Sequence, residues 1–174
     1  MGERAAARER RRDEEFESFV AGAAGRLLHA AVLLTAEPAA VAPRAQRLLL
    51  AALARTYAHW DRLRGDDPYE HTRQELATRF ARTAWRHHRP SWHRPGRAGG
   101  GAPSAPAGGV LERLPPQERL VLVLRLYEGI ADEQVAAALG LPAERVRTLC
   151  GHATATLRSA PREPAPRLPR AAAP

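Results

Sequence analysis

Gly140-Leu141-Pro142 falls between two short stretches whose apolar residues recur at helical spacing, and a sharp turn between two helices is the arrangement that accommodates it. Before the turn, Val135, Ala136 and Leu139 share one side of a helix, and the small Ala136 marks where two helices cross closely. After it, Pro142 fits the first position of a second helix, whose inner side repeats at Val146, Leu149, Cys150, Ala153 and Leu157. With the helix that begins after Leu114, the unit runs to Arg158 and reads as a helix-turn-helix. Arg145, Arg147 and Thr148 are left on the outer side, the surface that enters the major groove in DNA-binding units of this kind. Ordinary helical hairpins are built on the same spacing, so the turn and its periodicity leave plain packing open.

The remaining composition favours helices throughout. In 174 residues, 44% are apolar, only 5% are aromatic, and alanine and leucine are abundant, which suits an all-α chain of one domain or two small ones rather than a β-sandwich. The formal charge of +8 predicts acidic partners, either nucleic acid or an acidic protein face. Arginine supplies every basic side chain, so the distribution of charge says more than its total. Cys150 is the lone cysteine and lies on the apolar side of the last helix, where it reads as a small buried hydrophobe; no disulfide is possible within the chain, which fits a reducing cytoplasm. The charged N-terminus lacks a signal-peptide core and no stretch reads as a bilayer span, so no membrane is expected and a soluble, cytoplasmic protein is.

Along the chain, residues 1–12 are rich in Arg and Ala without an apolar stripe and read as a disordered tail. From Asp13, Phe16, Phe19, Val20, Ala23, Leu27, Ala30, Ala31 and Leu34 predict a helix ending near Thr35, before Glu37-Pro38. A second helix is predicted over Val41 to Leu63 with Pro43 near its start; Leu48, Leu49, Leu50, Leu53, Tyr57 and Trp60 make it apolar on more than one side, as a central core helix or one that offers a stripe to a partner. The third, from Tyr69 to about His88, carries Arg79, Arg82, Arg86 and Arg89 at three- and four-residue steps with Trp85 beside them, and no acidic residue occurs from Arg79 to Arg97. Such a face can hold phosphates and stack an unpaired base, or be a solvated stripe with Trp85 in the core. Residues 90–109, dense in Pro and Gly, read as a linker, and residues 160–174 as a disordered tail. His87, His88 and His93 have no carboxylate or cysteine among them and adjacent histidines diverge, so no metal site is expected. No phosphate-binding glycine loop and no nucleophile with a base is present; no catalytic residue, no cofactor and no enzymatic role are expected.

An N-terminal helical unit with a basic-aromatic third helix, a loose linker and a C-terminal helix-turn-helix resembles the extracytoplasmic-function sigma factors of bacterial RNA polymerase, in particular the actinobacterial SigE-like type. The resemblance is carried most strongly by Leu114-Pro115-Pro116-Gln117-Glu118-Arg119 with Val121-Leu122-Val123-Leu124-Arg125, and by Ala54-Arg55-Thr56-Tyr57-Ala58-His59-Trp60 with Asp67-Pro68. It implies a region 2-like helical domain over residues 13–89 and a region 4-like helix-turn-helix domain over 110–159. It further implies two partners, promoter DNA and the RNA polymerase core at its β′ clamp helices, and leaves room for an anti-sigma factor. Arg79, Arg82, Trp85, Arg86 and Arg89 would hold the melted non-template strand; Arg145, Arg147, Thr148 and His152 would meet the upstream promoter duplex.

Two surfaces depart from the family pattern. Where relatives carry an acidic and amide run in the core-binding helix, this chain has Arg47-Leu48-Leu49-Leu50-Ala51, so polymerase or another partner would meet Arg47, Leu49, Leu50 and Leu53 instead. In the recognition helix, a usual arginine is Leu149 and the usual His-Arg pair becomes Gly151-His152. Two readings follow: a promoter-specific initiation factor, and a degenerate sigma-like regulator that no longer meets core polymerase in the usual way.

Overall fold

The computed structural model describes residues 2–87 and 109–159, and among these every regular element is helical. The elements that position the candidate site are α1 (Gly2–Thr35), α2 (Pro43–His59), α3 (Pro68–His87), α4 (Pro116–Leu122), α5 (Asp132–Leu139) and α6 (Ala143–Ser159). The predicted linker lies largely outside the described residues, and the predicted C-terminal tail wholly so.

α1 starts at Gly2 instead of Asp13, which corrects the expectation of a disordered tail over residues 1–12. Ala, Arg and Glu are strong helix formers, Arg11 and Glu15 pair across one turn at 2.9 Å, and the Arg12 guanidinium sits 4.1 Å above the Tyr57 ring. A polar helix of this sort has no apolar stripe to reveal it. Further along, Ala23, Leu27, Ala30, Ala31 and Leu34 form the buried face. By length and composition the apolar half of α1 also qualifies as a membrane span, which the sequence reading had not anticipated. Its stripe is packed against α2 and α3, as in the core helix of a bundle.

α2 begins at Pro43, whose missing N–H costs nothing in the first turn, but Ala42 before it has no side chain to cap the helix. Glu37 does this from the preceding loop, accepting hydrogen bonds from the backbone N–H groups of Arg44 (3.1 Å) and Ala45 (2.8 Å) and from the Arg44 side chain (3.1 Å). Burial pushes the Glu37 carboxyl up, but these bonds outweigh it and hold it below the ordinary range. Glu37→Ala should therefore cost about 1–2 kcal/mol at neutral pH. Because the folded-state value is depressed, that stabilisation is complete above the unfolded value of about 4 and is lost as pH falls through the folded one. Urea midpoints of wild type and variant should differ at pH 7, and the difference should shrink as pH falls below about 4.

The buried faces of α2 and α3 meet across alanines and a polar pair. Thr56 and Thr72 are fully buried with their hydroxyls 2.9 Å apart, and each also bonds a carbonyl four residues back in its own helix. Asp67 opens α3, its side chain accepting from the Tyr69 N–H at 2.9 Å.

The C-terminal helices pack on the N-terminal ones, so a single apolar cluster runs from Ala23 to Leu149 through both. After α4 the chain passes through a π turn, Val123–Tyr127, in which the Glu128 N–H reaches back to the Val123 carbonyl. Glu128 follows it, with its side chain 1% exposed; its carboxylate accepts from the Tyr69 hydroxyl (3.0 Å) and pairs with Arg26 (3.4 Å). Burial first, and Glu128 next, raise the Tyr69 phenol far above its usual value, so it remains a donor. Gln74 of α3 donates to the Ala138 carbonyl of α5 at 3.1 Å. Arg119 of α4 is buried and donates to the carbonyls of Leu34 (3.2 Å) and Leu114 (3.0 Å). Burial lowers its pKa, with the charge of Glu112 opposing the shift and that of Arg44 adding to it.

Candidate nucleic-acid interface

α5 and α6 form the predicted turn unit. Gly140 adopts φ 65°, the left-handed conformation that stops α5 without a Cβ clash, and the Leu141 N–H closes the end on the Ala136 carbonyl at 2.9 Å. Pro142 stands just before α6 rather than inside it, and its carbonyl accepts from the Arg145 (3.0 Å) and Val146 (3.2 Å) N–H groups. Val135 and Ala136 pack with Val146 and Leu149 in one cluster, while Leu139 and Cys150 are half-buried against it. At the start of α5, Asp132 pairs with Arg125 and Gln134 accepts from the Ala131 N–H at 3.4 Å. The crossing is thus fixed by packing and by side chains on both sides of the turn.

The outer side of α6 is less uniformly basic than the sequence alone predicts. Arg145 and Arg147 are two positions apart, roughly 200° around the helix, so they flank the exposed face from opposite edges instead of sharing one side. Arg145 and His152 lie on one edge and are exposed. Arg147, on the other, is held by Glu144 at 2.9 Å and approached by Glu133 at 3.6 Å. Those carboxylates, through hydrogen bonding to Glu144 first, raise its pKa. Thr148 lies between the edges with its hydroxyl donating back to the Glu144 carbonyl at 2.9 Å. Glu144 is therefore part of this surface, a residue that the search for basic side chains passed over; the Glu-x-x-Arg spacing was the available signal.

The basic face of α3 is described in part. Arg82 is exposed, whereas Arg79 is half-buried and shares Glu75 with Arg55, at 3.5 and 3.9 Å. The side chains of Trp85 and Arg86, and Arg89 as a whole, lie outside the described residues, as do His88 and His93. On α2, the predicted contact set divides. Leu49 and Leu53 are 7% and 8% exposed and belong to the core, which corrects their assignment to a partner surface: the four-residue step places them with Ala45, Ala52 and Thr56 on the inner side. Arg47 is exposed and Leu50 is 64% exposed, so these two remain available.

Residues 110–159, from the turn before α4 to the end of α6, match the family profile for sigma-70, region 4. The chain is also 31% identical over 161 residues to the RNA polymerase sigma-E factor of Streptomyces coelicolor, covering 83% of this chain and 84% of that protein. The chain belongs to the SigE-like extracytoplasmic-function sigma factors. A second sigma-E factor, from Streptomyces avermitilis, is 30% identical over 161 residues, covering 83% of each. As a sigma factor it directs RNA polymerase to promoters, and its family is one of transcription factors rather than enzymes. Polymerase core and promoter DNA are accordingly its partners. α5 and α6 both lie within the matched region 4, the sigma factor's DNA-binding helix-turn-helix.

Proposed function

We propose that this sigma factor reads the promoter through two helices and meets polymerase through a third. α6 lies in the major groove of the upstream element, with Arg145 and His152 on one wall, Arg147 on the other and Thr148 facing the base edges. The exposure of Arg145, Arg147 and His152 on the helix that follows the Gly140 turn is the observation that carries this reading. Arg79 and Arg82, with Trp85, Arg86 and Arg89, hold the melted non-template strand by phosphate contacts and base stacking. Arg47 and Leu50 of α2 face the β′ clamp helices. The chain works in the cytoplasm as two functional parts, residues 13–89 and 110–159, joined by the Pro- and Gly-rich segment 90–109, and an anti-sigma factor is a further partner. Affinity capture of the chain from its native cell should recover the polymerase subunits stoichiometrically, and capture of Leu50→Asp should recover at least about tenfold less.

A second reading rests on the same α2 surface. Arg47 and the exposed Leu50 stand where relatives present acidic and amide groups, a reversal suited to an acidic partner with an apolar anchor instead of the basic groups of the polymerase. In that case the chain is a sigma-like regulator held by another protein. Recovery of a different stoichiometric partner, lost in Leu50→Asp and without polymerase subunits, is its distinguishing result.

A further inference from the structure

A cavity of about 670 Å3 opens where α2, α3 and α4 come together, a size typical of small-molecule sites. Its apolar wall is made by Leu48 and Ala51 of α2, Phe80 of α3 and Pro116 of α4, so both halves of the chain contribute. Arg44, Arg47, Arg79 and Arg119 also line it, and no carboxylate among the described residues does. Arg44 and Arg79 are offset from outside by Glu37 and Glu75. Arg47 and Arg119 have no carboxylate within ion-pair distance among the described residues.

Arg119 is the unusual member. It is 8% exposed, two of its nitrogens are occupied by backbone carbonyls, and its buried Nε has no hydrogen-bond partner. A buried guanidinium is stable when an anion completes its coordination. The chain's own segments are poor candidates for that anion: residues 88–108 contain arginine and histidine but no acid, and residues 160–174 carry three arginines against Glu163.

We propose that this cavity binds a small anionic amphiphile, a molecule with a single anionic head that pairs with Arg47 and is drawn by the unneutralised charge of Arg119 behind it, and an apolar body that lies along Leu48, Ala51 and Phe80. Because Pro116 and Arg119 belong to α4 and the other lining residues to α1, α2 and α3, an occupant touches both halves and stabilises their packing. Effector occupancy would thereby bias the relative placement of the two halves, a control beyond promoter and polymerase recognition.

The probe is 1-anilinonaphthalene-8-sulfonate on the full chain, followed by its fluorescence, with decanoate as competitor. Saturable one-site binding is expected, with displacement by decanoate but not by decyltrimethylammonium, and decanoate should raise the thermal midpoint. Arg47→Glu should weaken binding of both probes by about tenfold or more, and Ala51→Trp, which fills the apolar wall, should abolish it. Circular dichroism of both variants confirms the helical fold. Equal displacement by the cationic competitor, or unchanged binding in both variants, overturns the proposal. So does binding of a synthetic acidic peptide without binding of decanoate, which assigns the cavity to a protein partner. Neither polymerase nor DNA is present in the measurement, so a negative result leaves the promoter-reading assignment untouched.

Discussion

Arg119→Ala is expected to lower the unfolding free energy by about 3 kcal/mol. The side chain ties α4 to the end of α1 through the Leu34 carbonyl and to its own approach segment through the Leu114 carbonyl. Truncation removes the donor from both acceptors at a site that is almost wholly buried, and enlarges the cavity that Arg119 lines. The loss should appear as a lower urea midpoint, accompanied by faster amide exchange in the last turn of α1 and in α4 than elsewhere. Arg119→Lys should recover part of the loss, since an ammonium donates to one carbonyl but cannot fork between two. An alanine variant as stable as wild type would mean that the Arg119 tie adds nothing to the packing of the two halves.

Reversing the charge of Arg145 should weaken binding of a promoter duplex about tenfold and reduce the slope of log K against log salt by about one. Arg145 stands exposed at the N-terminal end of α6, so its replacement leaves the core at Val146 undisturbed and, on the proposed reading, removes a phosphate contact. Glu144→Gln should act in the opposite sense. Glu144 lies toward the middle of the outer face and holds Arg147 at 2.9 Å; neutralising it removes a repulsive carboxylate and frees the guanidinium. A gain of about threefold in duplex affinity is expected, measured by fluorescence anisotropy at fixed salt. Weaker binding by Glu144→Gln would show instead that the ion pair orients Arg147 for its contact.

The parts of the fold legible in the sequence were those specified locally. Gly140 and Pro142 punctuate the turn, and the i, i+3, i+4 repeats at Val146, Leu149 and Ala153 or at Leu27, Ala31 and Leu34 are written in consecutive residues. Residues 2–12 were misread because a helix built on propensity and i, i+4 pairs carries no apolar stripe. Leu49 and Leu53 were grouped with Leu50 because three neighbouring leucines look alike in a string, though helical geometry sends them to different sides. The packing of the two halves depends on partners far apart in the chain: Tyr69 with Glu128, Arg26 with Glu128, Gln74 with Ala138 and Leu34 with Arg119. Arg119 itself resembles any surface arginine in the sequence, and only the crossing of α4 over the end of α1 buries it.

This chain is expected to carry polymerase to particular promoters through α6 and the basic face of α3. Run-off transcription tests it most directly: purified chain, core polymerase without any other sigma factor, and fragments of the native genome as templates. Discrete transcripts that depend on the chain, disappear with Arg145→Glu and share sequence elements upstream of their starts are the predicted result. Absence of any chain-dependent start across those fragments, with core polymerase shown active when supplied with another sigma factor, would contradict the account.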